Sequence, residues 1–161
     1  MRCSWILGTL CLAVLPLTVH AAEGEVSIKR GLQVSITHGC HDCHTPGYVQ
    51  SEGKIDPSVA LKGSPMGFRG PWGTTYALNL RLTVAEKAKT EDEFVNFAKT
   101  LRTRPPMPWF NMPAMEESDL RSLFRYIKSL GEPGGQAPEA VGPGEEPKTP
   151  YLLFEPTRPK S

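Results

Sequence analysis

The sequence predicts an all-α protein, and two observations carry that prediction. Three segments have apolar residues at helical spacing. The segments between and after them contain glycine and proline too often for long regular elements. We therefore expect helices joined by long Gly/Pro-rich loops and followed by an extended C-terminal tail. The length of 161 residues suggests one folded domain.

Residues 1–22 have the composition of a secretory signal peptide. Arg2 precedes an apolar run over 5–19, which is short for a membrane span, and the small residues Ala21 and Ala22 follow. We expect cleavage there, export of the protein and no membrane span in the mature chain. A retained anchor and a lipoprotein are the alternatives.

The charges predict no polyanionic partner. The chain has 18 basic and 17 acidic residues, and loss of Arg2 with the signal peptide balances them. Neither a basic excess for nucleic acid nor a charge block for a membrane surface is present. We expect an ordinary solvated surface.

The first predicted helix runs from Glu25 to Cys43, with Ile28, Leu32 and Ile36 forming its apolar stripe. Gly39 marks either a helix end or a place where a bulky group approaches closely. The next segment, 44–89, is interrupted by ten glycines and prolines, so we expect it to be mostly loop. A loop this long in a compact domain needs a reason, and wrapping a large flat cofactor is one.

Two further helices follow. Thr90 to Leu101 begins with the spacing of a capping box, and Pro105 and Pro106 lie just beyond its end. Glu116 to Leu130 is the clearest helix. Its apolar residues lie on one face and its basic residues point away, and Gly131 ends it. We expect these apolar faces to pack in the core.

The composition changes after Gly131. The segment 132–161 is rich in proline and glycine and has no helical period, which predicts an extended tail. Within it, 151–154 is an apolar island that we expect to dock on the domain or on a partner.

One short motif carries the chemistry. Cys40-His41-Asp42-Cys43-His44 is C-x-x-C-H, which in an exported chain indicates covalent attachment of haem. Two thiols three positions apart can both reach the vinyl groups on one edge of a porphyrin. His44 would then lie beneath the ring with its imidazole directed at the iron. Only these two of the four cysteines remain after signal cleavage, so a disulfide framework is excluded.

Three other interpretations compete for the motif. A redox-active dithiol uses the same C-x-x-C, but it has no need of His44, and no βαβ pattern surrounds it. A zinc site would take all four ligands from one short stretch, because no cysteine or histidine follows His44. A simple disulfide loop is the third. We expect His38 and His41 to be solvated bystanders.

The sixth iron ligand is expected to be a methionine, since no later histidine exists. Met107 is favoured because prolines on both sides fix its backbone. Met112 is the main alternative. Met66, Met115 and the absence of any methionine ligand also remain open.

These segments together resemble the class I-like monohaem cytochromes c of bacterial periplasms, in particular those that accompany periplasmic dehydrogenases. The resemblance covers roughly 25–131, and the matching segments are 39–46, 70–80, 105–109 and 119–131. One departure is Arg81-Leu82-Thr83-Val84, where such proteins usually have T-P-D.

The resemblance implies a cytochrome c-like helical fold wrapped around one covalent haem c. It implies a cytochrome c domain over 25–131, with the first and last helices packed across each other. His44 and Met107 would be the axial iron ligands, and a soft thioether raises the reduction potential relative to a second histidine. Iron with both axial positions filled suits an electron carrier rather than an enzyme.

The expected partners are redox proteins of the periplasm. A dehydrogenase would donate electrons, and a terminal oxidase or another cytochrome would accept them. A cytochrome subunit of a dehydrogenase complex is a variant of this function. The alternatives are a haem enzyme that binds peroxide or another small ligand after methionine dissociates, and a haem sensor whose tail docks a partner.

Overall fold

The structure is a computed structural model that describes residues 24–156, so the predicted signal peptide over 1–22 lies outside the described residues. In chain order the elements are α1 (Ile28–Thr37), α2 (Cys40–His44), β1 (Gly67–Gly70), β2 (Gly73–Tyr76), α3 (Leu80–Lys87), α4 (Glu91–Thr100), a 3₁₀ helix (Trp109–Ala114), α5 (Glu117–Ser129) and β3 (Tyr151–Leu153).

The prediction of an all-α, cytochrome c-like helical fold is wrong, because the three strands form a sheet in the order β2-β1-β3. Strand β1 is antiparallel to β2 and parallel to β3. Glycines hide this hairpin in the sequence. A Cβ at Gly67 would lie 2.7 Å from the Thr74 side chain, and one at Gly70 would lie 2.6 Å from the Trp72 ring. The glycines that permit close contact also remove the alternating side chains that predict strands.

Helix α1 is shorter than predicted. It begins at the N-cap Ser27, whose hydroxyl accepts a hydrogen bond from the Arg30 N–H. It ends before Gly39, which has φ +68° and is the N-cap of α2. The predicted stripe is also wrong in part, since Ile28 and Ile36 are exposed.

The buried face of α1 lies against α5, and Gly31 is the point of closest approach. A Cβ there would be 2.0 Å from the Ser122 carbonyl oxygen. Val34 and Ser35 lie on the same buried face. The hydrophobic pattern misplaces this face because its tightest contact is made by a residue without a side chain.

The helices predicted from Thr90 to Leu101 and from Glu116 to Leu130 are confirmed as α4 and α5. Thr90 and Glu93 form the reciprocal capping box at the start of α4. Glu116 is the N-cap of α5, although its side chain makes no capping hydrogen bond. Their apolar faces join α1 in the main core, whose buried members are Val34, Leu61, Val84, Ala88, Phe94, Ala98, Met115, Leu120, Leu123, Phe124, Tyr126 and Ile127.

Helix α3 lies where the sequence predicts a loop. Its apolar residues do not form a continuous helical stripe, so the periodic signal is weak. Its start is nevertheless well defined, because the Asn79 side chain accepts from the Leu82 N–H. The Asn79 amide also donates to the carbonyls of Pro133 and Gly135, which ties the first part of the tail to the domain.

None of the helices between residues 24 and 156 has the length and apolar character that crossing a membrane requires.

Candidate cofactor site

The helix α2 carries the two thiols and the imidazole of the motif, on Cys40, Cys43 and His44. Gly39 has a left-handed backbone, and Cys40 follows it as the first residue of α2. Cys43 and His44 lie three and four positions later, which places them near Cys40 on one side of a helical turn. Both thiols are free and partly buried. A single turn therefore presents two free thiols and one imidazole.

The imidazole of His44 is held in one orientation. Its Nδ1 donates to the Leu78 carbonyl oxygen across 2.7 Å, so the ring proton resides on Nδ1. Among the described residues, Nε2 has no hydrogen-bond partner. Burial lowers the pKa of His44, which favours the neutral ring. A neutral imidazole fixed through one nitrogen is the arrangement that metal-binding histidines adopt.

The two thiols have raised pKa values, whereas a reactive dithiol has a lowered one. Cys40 packs against the hydrophobic core, and burial raises its pKa to about 11. Burial also raises the pKa of Cys43, with the charge of Asp42 acting in the same direction. Redox-active C-x-x-C pairs depend on a lowered thiol pKa. This environment therefore disfavours the dithiol interpretation.

His41 is fully buried, and the expectation that it is a solvated bystander is wrong. The Ser35 hydroxyl donates to the Leu32 carbonyl, so it accepts the Nε2 proton of His41 across 3.0 Å. The Thr45 hydroxyl accepts from the Leu61 N–H and donates to His41 Nδ1 across 2.7 Å. Both ring nitrogens are thus occupied, and α2 is bound to α1 and to the following loop. His38, in contrast, is exposed.

The burial of His41 predicts a pH dependence of stability. Burial lowers its pKa to about 4, from 6.5. The unfolded chain therefore binds a proton that the folded chain excludes, and stability is lost as the pH falls from 6.5 towards 4. The full loss is about 3 kcal/mol. Urea unfolding at pH 7 and near pH 4 measures it. His41→Gln should remove this part of the slope, and an equal slope in both proteins would refute the assignment.

A cleft with a cavity volume of about 420 Å³ lies beside the motif. One wall is formed by the end of α2 and the turn after it, and the other by β1, β3 and the residues just before them. Thr75, Phe68 and Leu152 are register partners across the three strands, so their side chains share one sheet face. The lining residues are Asp42, Cys43, Thr45, Pro46, Gly47, Val49, Gln50, Ser64, Pro65, Met66, Phe68, Pro150 and Leu152.

The four methionines within residues 24–156 occupy different environments. Met115 is buried in the main core, and Met112 packs against that core. Met66 is partly buried and lines the cleft. Met107 is partly buried in the loop between α4 and the 3₁₀ helix, outside the core. Met107 and Met66 are therefore the methionines with a side chain not committed to the core.

The strand β2 connects the Met107 loop with His44. The Thr75 hydroxyl donates to the Pro105 carbonyl across 2.6 Å, two residues before Met107. Three residues after Thr75, the Leu78 carbonyl holds His44. Three residues of extended chain span about 10 Å. One short segment thus fixes the backbone beside both expected axial ligands.

Trp72, Tyr76 and Trp109 make their contacts outside the cleft. Trp72 donates to the Phe68 carbonyl, and the Tyr76 hydroxyl accepts from Thr149. Trp109 lies under the Arg102 guanidinium. None of the three lines the cleft.

Arg81 is a buried cation. Its guanidinium donates to the carbonyls of Pro57, Ala60 and Leu130. Burial lowers its pKa. Arg81 therefore holds the loop after the motif against the end of α5.

The zinc interpretation finds little support in these side chains. Within residues 24–156, no three side chains of histidine, cysteine, aspartate or glutamate form a group that could hold a metal ion. His41 uses both ring nitrogens in hydrogen bonds, and His38 Nδ1 faces the Val34 carbonyl at 3.1 Å.

Comparison with known proteins gives no match: no family model, no curated protein and no solved structure is detectably similar to this chain. The assignment of a function therefore rests on the motif and on the geometry around it.

Proposed function

We propose that this protein is an exported electron carrier with one covalently attached haem c. The observation that carries the proposal is the fixed imidazole of His44, with its Nε2 unpartnered among the described residues, next to two free thiols on the same helical turn. This arrangement provides both attachment points and one axial ligand within five residues.

The surroundings of the motif suit a large apolar group. Val49, Leu78 and Leu152 have exposed side chains near the motif, and Val49 and Leu152 line the cleft. Covering such side chains with a flat apolar surface is favourable, by about 25 cal/mol for each Å² removed from water. Cys40 and Cys43 would hold the haem through thioether bonds, and this attachment would need no oxidant. Each thiol would add across a vinyl double bond, with its sulfur bonded to one carbon and its hydrogen to the neighbouring carbon.

The bound haem would supply one-electron chemistry, taking one electron from a donor and passing one to an acceptor. The chain's own residues would set the conditions for this. His44 keeps one orientation through Leu78, and the network around His41 keeps α2 in place. The partners we propose are a periplasmic dehydrogenase as donor and a terminal oxidase or another cytochrome as acceptor.

Mass analysis of the exported protein tests the proposal directly. The expected result is a mature chain, cleaved after residue 21 or 22, that carries the mass of one haem. The haem should remain after denaturation and organic extraction, because thioether bonds are covalent. A polypeptide without added mass would end the proposal. Rapid binding of carbon monoxide to the ferrous protein would favour a haem enzyme or sensor instead.

Met107 is the sixth ligand that we propose, and Met66 replaces Met112 as the main alternative because Met112 packs against the core. We expect Met107→Ala to abolish the long-wavelength ferric absorption band of methionine-ligated haem and to lower the reduction potential. Met66→Ala is the matched control and should keep the band. The opposite pattern in the two variants would assign the ligand to Met66.

A further inference from the structure

The C-terminal segment 141–154 forms backbone hydrogen bonds with both edges of the β1–β2 hairpin. Val141 and Thr74 exchange backbone hydrogen bonds at the outer edge of β2. The chain then crosses over, and β3 pairs with the outer edge of β1. Two further backbone hydrogen bonds lie at the ends of that pairing. The Gly67 N–H donates to the Pro150 carbonyl oxygen, and the Phe154 N–H donates to the Arg69 carbonyl oxygen.

Side chains hold the same segment in place. Arg69 forms two hydrogen bonds with Glu146 and lies over the Tyr151 ring at 5.1 Å. The Phe154 ring lies 6.0 Å from that of Phe68 and 6.2 Å from that of Trp72. Contacts on both faces of the sheet therefore fix 146–154 on the domain, within the segment whose composition predicts an extended tail.

Two residues of this segment line the cleft beside the motif. Pro150 and Leu152 form part of the wall that faces Cys43. Leu153 is the register partner of Arg69 and lies on the opposite face of the sheet, away from the cleft. Leu152 and Leu153 are 51% and 57% exposed, so the two neighbours differ mainly in the face that they occupy.

We infer that Pro150 and Leu152 form a wall of the cofactor site, in which Leu152 covers the haem and keeps water from it. This inference rests on the proposed function. An apolar wall disfavours the additional positive charge of the ferric state and so raises the reduction potential. The same wall restricts access of small ligands to the iron. The tail is then a component of the redox site and not only a linker.

Leu152→Ser and Leu153→Ser are a matched pair for this inference. In the haem-loaded protein, we expect Leu152→Ser to lower the reduction potential. We also expect it to increase, several-fold, the rate at which imidazole displaces the ligand of ferric iron. Leu153→Ser should leave both quantities at the wild-type value, because its side chain lies on the other sheet face. Thermal unfolding of the two variants compares their loss of stability.

The outcomes separate this inference from the function on which it rests. Absence of covalent haem from the wild-type protein overturns the proposed function. Haem attached in all three proteins, with equal potentials and equal imidazole rates, overturns the role of Leu152 alone. Leu152→Ile is a second test, because it keeps the wall apolar and should keep the wild-type potential and rate. A reduction potential as low in Leu152→Ile as in Leu152→Ser would also contradict the inference that Leu152 acts as an apolar wall.

Discussion

A chain with alanine at both Cys40 and Cys43 is expected to contain no covalent haem after export. Cys40 and Cys43 are the only cysteines in residues 23–161, and both lie on the helix that carries His44. Without them, a porphyrin would be held only by axial ligands and apolar contact. Mass analysis of the denatured protein should therefore change from one haem per chain to none.

The control for this experiment is His38→Ala. His38 is exposed and lies two residues before Cys40, so its loss should leave attachment complete. Circular dichroism shows whether the double cysteine variant keeps its helices. Thiol titration of the denatured wild-type protein adds an independent result. Covalent haem consumes both thiols, whereas two titratable thiols after reduction would support a dithiol or a zinc site.

The helices α4 and α5 could be predicted because their signals are local. The capping box at Thr90 and the apolar face of α5 depend on residues within a few turns of each other. The sheet could not be predicted in the same way. Its strands contain Gly67, Gly70 and Gly73, and β3 reaches β1 only through a contact between distant parts of the chain.

In the candidate site, too, the local features could be predicted and those that depend on distant contacts could not. The sequence identifies Cys40, Cys43 and His44 because C-x-x-C-H is contiguous. It places His41 in solvent, because the partners that bury it come from α1, α5 and the loop after α2. The position of Leu152 could not be predicted either, since no local pattern shows which face of a distant strand meets the cleft.

Gly31→Ala is expected to destabilise the fold by about 2 to 3 kcal/mol, despite the better helix propensity of alanine. A Cβ at this position would lie 2.0 Å from the Ser122 carbonyl oxygen and 2.7 Å from the Tyr126 Cβ. The first contact is with backbone, so no rotamer change relieves it and α1 must move away from α5. Urea unfolding measures the loss.

Gly135→Ala is the matched glycine control, because a Cβ there meets nothing within 4 Å. Ser122→Ala combined with Gly31→Ala should not restore stability, since the clash is with the Ser122 carbonyl and not with its side chain. Separation of α1 from α5 also pulls Ser35 away from Tyr126, and both contact His41. The variant should therefore lose part of the pH dependence assigned to His41. A free energy of unfolding equal to that of the wild type in Gly31→Ala would contradict this prediction. It would show that α1 can move away from α5 without cost, so that the contact between them is not a rigid support for α2.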